Sequence, residues 1–123
     1  MKITNNQQFN FGYKSILKTE WLNGNMPTVK YDMGGNLLTA QNITLGHMQP
    51  HSKRGSSGLA NFMLETKRYN NNKGNMPFSS TFSQSGFDSY CKQFEGINLK
   101  GFNGDGYVQM ITKTAKRLLR QGK

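Results

Sequence analysis

Apolar and polar positions alternate in short blocks along this chain, and each block predicts a short element. Over residues 13–22 the apolar side chains of Ile16, Leu17, Trp21 and Leu22 fall on one helical face, and Asn23-Gly24 marks its stop. Pro27 opens an extended piece that runs to Tyr31. The turn signal Gly34-Gly35-Asn36 and then Leu37-Leu38-Thr39 follow, so a hairpin or knuckle is expected. Residues 42–48 read as a strand carrying the β-branched pair Ile43 and Thr44. Residues 51–58 are loop by composition, and Phe62-Met63-Leu64 is the return strand. Residues 66–73 suffice for two helical turns, which Gly74 ends and Pro77 prevents from continuing. The order is strand, loop, strand, helix, in pieces too short for periodicity alone to establish the unit.

Beyond this unit, residues 78–85 are rich in Ser and Phe and give no assignment. A helix is expected over 87–94, with Ser85 as N-cap and Gly96 past its end, followed by a loop over 101–106. The last helix, over about 107–121, has the firmest pattern. Val108, Ile111, Ala115 and Leu118 share one face, and Lys113, Lys116, Arg117 and Arg120 line the opposite one. Residues 1–12 are polar and Asn/Gln-rich and read as a loose arm. The phrases NGNMPT and KGNMPF are alike, but two copies do not define a repeat.

A chain of 123 residues implies one domain, here over 13–123, with a modest core. Charge changes the picture more. Sixteen Lys plus Arg against six Asp plus Glu give a formal net charge of +10, which points to a polyanionic partner, most often nucleic acid. The single cysteine, Cys91, excludes an internal disulfide framework and any multi-cysteine zinc site, and reads as a small buried hydrophobe. No apolar run reaches the ~18 residues of a membrane span, and the first residues hold no apolar signal core. A cytoplasmic protein of a bacterium or a phage-infected cell is therefore expected.

The candidate chemistry lies in residues 43–75, ITLGHMQPHSKRGSSGLANFMLETKRYNNNKGN. His47 ends an apolar run, a Pro and Gly/Ser loop follows, Asn61 precedes the second run, and Asn70 stands three residues before Lys73-Gly74. This order resembles the HNH (His-Me finger) endonucleases, whose motif reads roughly DHxxPxSxGG…N…N-x-x-K. The matching positions are His47, Pro50, Ser52, Gly55, Asn61, Asn70 and Lys73. The resemblance implies an α+β fold with a ββα-metal core over about 42–75 and flanking helices. It implies His47 as general base, Asn61 as the residue that braces the loop and helps orient the histidine, and Asn70 as ligand to Mg²⁺ or Mn²⁺. Lys73 would meet a phosphate. The chemistry is coherent: a neutral imidazole takes a proton from water, and a hard cation stabilises charge at the phosphate and the leaving oxygen. Mg²⁺ suits a site with few protein oxygens because it keeps most of its waters. DNA is the implied partner, with RNA left open. Lys53 and Arg54 in the loop, together with Lys113, Lys116, Arg117 and Arg120, are the candidate backbone contacts.

Two departures stand out. Relatives often carry paired zinc cysteines at the positions of Tyr31, Gly34, Thr66 and Tyr69. No structural zinc is expected here, and packing by Tyr31 and Tyr69 would replace it. Most members also have a metal-ligand Asp just before the histidine, where this chain has Gly46. A related branch of non-specific nucleases with a D-R-G-H motif shares the Gly-His pair. Glu65 and His51 are candidate substitute ligands. The leading expectation is a metal-dependent DNA endonuclease. The alternative is a degenerate HNH-type protein that binds nucleic acid or a protein without cutting. A basic subunit of a ribonucleoprotein, in which the motif is accidental, is a third and weaker reading. The oligomeric state is not legible.

Overall fold

The hairpin expected around His47 is present in the computed structural model, which describes residues 15–50, 55 and 58–123. Strand β1 (Ile43–His47) pairs antiparallel with β2 (Phe62–Thr66), in a register that sets His47 opposite Phe62 and Gly46 opposite Met63. A short 3₁₀ turn, Leu59–Asn61, leads into β2. Helix α2 (Lys67–Lys73) starts directly after β2. Thr66 caps it by accepting from the Tyr69 amide at 3.2 Å, and Gly74 ends it with φ +52°. Thr and Gly at these two positions are what a helix start and stop require, since each satisfies terminal backbone groups or permits the reversal.

Upstream, helix α1 covers 15–22, with Leu17 fully buried and Leu22 exposed. The expected knuckle is a single bridge between Tyr31 and Leu37, turned by Gly35 at φ +79°. Downstream lie α3 (Phe78–Thr81), α4 (Gln84–Lys92), a two-residue ribbon of β3 (Asn98–Leu99) and β4 (Phe102–Asn103), and α5 (Gly104–Gln121). Two expectations are corrected. The cap of α4 is Ser83, which accepts from the Gly86 amide, and not Ser85. Residues 101–106 are not a loop throughout: they hold β4 and the start of α5, capped by Asn103 at 2.7 Å from the Gly106 amide. Residues 78–81, whose sequence carries no clear pattern, form α3. The 1–12 arm lies outside the described residues.

The architecture is a small α+β arrangement with one cluster of buried residues that runs in sequence from Leu17 to Leu118. Ile43, Met63 and Leu64 from the hairpin meet Phe87, Tyr90 and Phe94 from the α4 region and Tyr107, Ile111 and Leu118 from α5. A buried polar relay ties β2 to these helices. The Tyr107 hydroxyl donates to the Phe62 carbonyl at 2.6 Å, so its 3.0 Å contact with Tyr90 must be donated by Tyr90. Tyr90 in turn accepts from the Leu64 amide at 2.8 Å. Burial holds both phenols well above their ordinary pKa, so they stay neutral donors and acceptors. The hairpin is thus fixed from one side by helices α4 and α5.

Candidate active site

His47 is the last residue of β1 and half-buried. Its ring lies against the ring of its cross-strand partner Phe62, centroid to centroid 4.4 Å at 49°. That pair sets where the imidazole can be. The chain beyond it is braced by Asn61. The buried Asn61 carboxamide accepts from the Gln49 amide at 2.8 Å and donates to the Gln49 carbonyl at 3.0 Å, while its own backbone carbonyl accepts from the Met48 amide at 2.8 Å. An aspartate there could accept but not donate, and alanine could do neither. Gly55 closes the same turn: its amide donates to the Pro50 carbonyl, and a Cβ there would sit 1.8 Å from the Gln49 carbonyl oxygen. The loop glycine of the motif is therefore a steric requirement at this position.

Asn70 lies on α2, half-buried, and its side chain makes no hydrogen bond among the described residues. His47, Pro50, Asn70, Asn71, Lys73, Gly74 and Asn75 line one cavity of about 350 Å³. The histidine and the asparagine, 23 residues apart in sequence (70 minus 47), thus border a common space. Lys73 joins helix to strand. Its ammonium donates to the His47 carbonyl at 2.8 Å and to Glu65 Oε2 at 2.7 Å. Glu65 is 2 % exposed, and its Oε1 is buried with no hydrogen-bond partner. Burial pushes its carboxyl up to about 7, and the Lys73 ammonium works in the opposite direction. The space Glu65 fills explains Gly46. A Cβ at position 46 would lie 1.8 Å from Glu65 Oε1 and 2.2 Å from its Cδ.

Of the four positions matched to zinc cysteines, Gly34 and Tyr69 come together, and Thr66 is tied to the knuckle through Asp32. A Cβ on Gly34 would lie 2.6 Å from the Tyr69 ring, so knuckle and helix pack closely there. Thr66 is held by Asp32: its amide and its hydroxyl each donate to Asp32 Oδ2 at 3.0 Å. Asp32 Oδ1 accepts from the amide and carboxamide of Asn36, both at 2.9 Å. The expectation that Tyr31 helps replace the metal is corrected, because Tyr31 is 48 % exposed. Asp32, a residue that sequence reasoning did not single out, makes the clasp. Its signal was available: an acidic residue just ahead of a Gly-Gly-Asn turn, where a short side chain bonds its own loop.

Lys113, Lys116, Arg117 and Arg120 are exposed along α5, which packs on the Leu59–Asn61 turn and on α3. None of the four is in an ion pair among the described residues. Lys53, Arg54 and His51 lie outside the described residues. Cys91 is half-buried, and burial pushes its thiol up to about 11, the wrong direction for a nucleophile. Among the described residues there is no group of three or more His, Cys, Asp and Glu that could hold a metal ion. The cavity lining offers the unengaged Asn70 carboxamide, a hard oxygen of the kind Mg²⁺ and Mn²⁺ prefer, and no carboxylate. No helix among the described residues is long and apolar enough to cross a membrane. Compared with known proteins, the chain matches no family model, and no curated protein or solved structure shows significant similarity to it.

Proposed function

We propose that this protein is an HNH-type endonuclease with a ββα-metal core, hydrolysing DNA phosphodiester bonds at the cavity between His47 and Asn70. The observation that carries the reading is that both residues border one cavity while Asn61 braces the chain next to the histidine. In support, the Asn61 carboxamide holds both backbone groups of Gln49 just beyond His47, and Asn70 borders the same cavity as the histidine. The imidazole of His47 takes a proton from the attacking water, the general-base task that histidine performs most often. The Phe62 ring and the Lys73 bond to its carbonyl limit the positions His47 can take. A divalent cation held by Asn70 would supply charge neutralisation at the scissile phosphate and its leaving oxygen. The basic face of α5 binds the DNA backbone without reading sequence, so affinity falls with salt.

The test is plasmid nicking by the purified protein in Mg²⁺ or Mn²⁺, compared with His47→Ala and Asn70→Ala. Both variants are expected to lose about 10²-fold or more in rate, the size of a general-base contribution. Nicking that persists unchanged in His47→Ala overturns the assignment. A second reading is a non-cleaving nucleic-acid binder on the same scaffold. It is favoured by Gly46 and by the ammonium of Lys73 resting on the nearest carboxylate. Salt-sensitive DNA binding, with no nicking in either metal, selects it.

A further inference from the structure

Helix α2 contributes to two cavities, and the second one has no part in the candidate active site. Arg68, Tyr69 and Asn72 from α2 and Asn36 and Leu37 from the knuckle line a cavity of about 400 Å³, a size that suits a small ligand group. It shares no residue with the lining of the cavity at His47 and Asn70. We infer that this second cavity is a base-reading pocket, which takes an adenine of the bound nucleic acid on Asn72 with the adjoining phosphate on Arg68. The lining carries an arginine and no carboxylate, so it favours an anionic ligand. Arg68 is exposed and in no ion pair among the described residues, which leaves its guanidinium available to grip a phosphate. The carboxamides of the lining differ in what they have left to offer. Asn42 is engaged within the fold: its Oδ1 accepts from the Thr39 amide at 2.7 Å, and its Nδ2 donates to the Leu37 carbonyl at 3.1 Å. Asn36 gives its Nδ2 to Asp32 and keeps only an acceptor. Asn72 is exposed, and its side chain makes no hydrogen bond among the described residues. Of these carboxamides it alone presents donor and acceptor together, the pair that matches N7 and N6 of adenine. Leu37, 55 % exposed, supplies apolar surface for the base. Asp32 ties the two walls to each other through Asn36 and Thr66, so the pocket is formed before anything binds.

The nature of the ligand rests on the proposed reading of the protein as an enzyme of nucleic acid, but the pocket is tested without cleavage. The full chain is titrated with each of the four deoxynucleoside monophosphates, and binding is followed by NMR shifts of backbone amides and carboxamides. dAMP is expected to shift Asn36, Leu37, Arg68 and Asn72, and to bind at least about 5-fold tighter than dGMP, dCMP or dTMP. Asn72→Leu should remove that preference. Arg68→Gln should weaken all four by a similar factor and leave the preference in place. Both side chains are exposed and unengaged among the described residues, so both variants are expected to fold as wild type does, which circular dichroism checks. Equal affinity for the four nucleotides, shifts confined to the basic face of α5, or a preference that survives in Asn72→Leu overturns the proposal. Mapping the nicks on plasmid separates the pocket from the nuclease reading. Wild type is expected to show adenine enriched at one fixed offset from the cut, and Asn72→Leu to lose the enrichment while nicking continues. Nicking with neither enrichment nor a dAMP preference leaves the nuclease reading standing and removes the pocket. A dAMP preference that depends on Asn72, with no nicking in either metal, keeps the pocket and removes the nuclease reading.

Discussion

Removing the Asp32 carboxylate is expected to loosen the ground on which the candidate site stands. The side chain is 3 % exposed and accepts from Asn36 N, Asn36 Nδ2, Thr66 N and Thr66 Oγ1. Hydrogen bonds to a charged group contribute roughly 1.5–3 kcal/mol each, yet four on one carboxylate do not add. The two bonds to Thr66 are the expensive ones to lose, because that residue is 5 % exposed and its amide would be left buried without a partner. Asp32→Ala should therefore cost about 4 kcal/mol, a large part of the ~5–15 kcal/mol that a domain has in total. For a chain of this size the melting temperature should fall by about 10–20 °C. Asp32→Asn keeps one acceptor oxygen and turns an NH₂ toward two donors, so it should lose more than half as much. Urea denaturation followed by Trp21 fluorescence gives the numbers. A double-mutant cycle with Thr66→Val isolates the link from knuckle to helix, with an expected coupling of about 1–3 kcal/mol. A loss below about 1 kcal/mol in Asp32→Ala, or no coupling to Thr66, would refute the idea of a clasp.

Three further outcomes follow from the same geometry. The folded pKa of Glu65, raised to about 7 by burial with Lys73 opposing and Asp32 adding, makes the folded state the tighter proton binder. Its contribution to stability is then full below about 4.5 and is lost as pH rises to about 7, by at most about 3 kcal/mol. Wild type should accordingly lose stability relative to Glu65→Gln across that window, and parallel pH profiles in chemical denaturation would contradict this. Tyr107→Phe leaves the Phe62 carbonyl and the Tyr90 hydroxyl without their partner, and should cost about 1–3 kcal/mol in the same assay. Reversing charge at Lys116 and Arg117 should weaken binding to mixed-sequence DNA and flatten its dependence on salt, as read by fluorescence anisotropy, while melting stays close to that of wild type.

The hairpin and the helix after it were legible because punctuation marks them. Gly74 and the loop composition bound β1, β2 and α2, and the structure moves their ends by no more than a residue or two. The Asn61 brace was readable only through the resemblance, since nothing local distinguishes that asparagine from its many neighbours. The start of α4 was missed because Ser83 and Ser85 are equally good caps on paper. Gly86, with a Met33 carbonyl oxygen 2.4 Å from where its Cβ would be, shows that packing against the knuckle fixes the choice. The Glu65–Lys73 pair and the Asp32 clasp join residues 8 and 34 apart in sequence. Such contacts carry no periodic signal, and only the fold brings them together.

Those two contacts decide where Asn70 is, and the helix that bears it could not do so alone. Helix α2 has seven residues, three of them asparagine, and none buried. Neither length nor propensity makes such a segment stable in isolation. It is pinned at its start by Thr66, which the knuckle's Asp32 holds, and in its first turn by Tyr69 lying against Gly34. At its end Lys73 is pinned by Glu65 and the His47 carbonyl. Asn70 sits between the two ends. A zinc ion in the knuckle would fix only the first of them. With the polar clasp in that role, the second pin on Lys73 takes a larger share in setting Asn70 relative to His47. Lys73→Met should therefore speed amide hydrogen exchange in the last turn of α2 and leave the Asp32 end protected. Equal loosening at both ends would mean that the helix moves as one body and that its two pins are not independent.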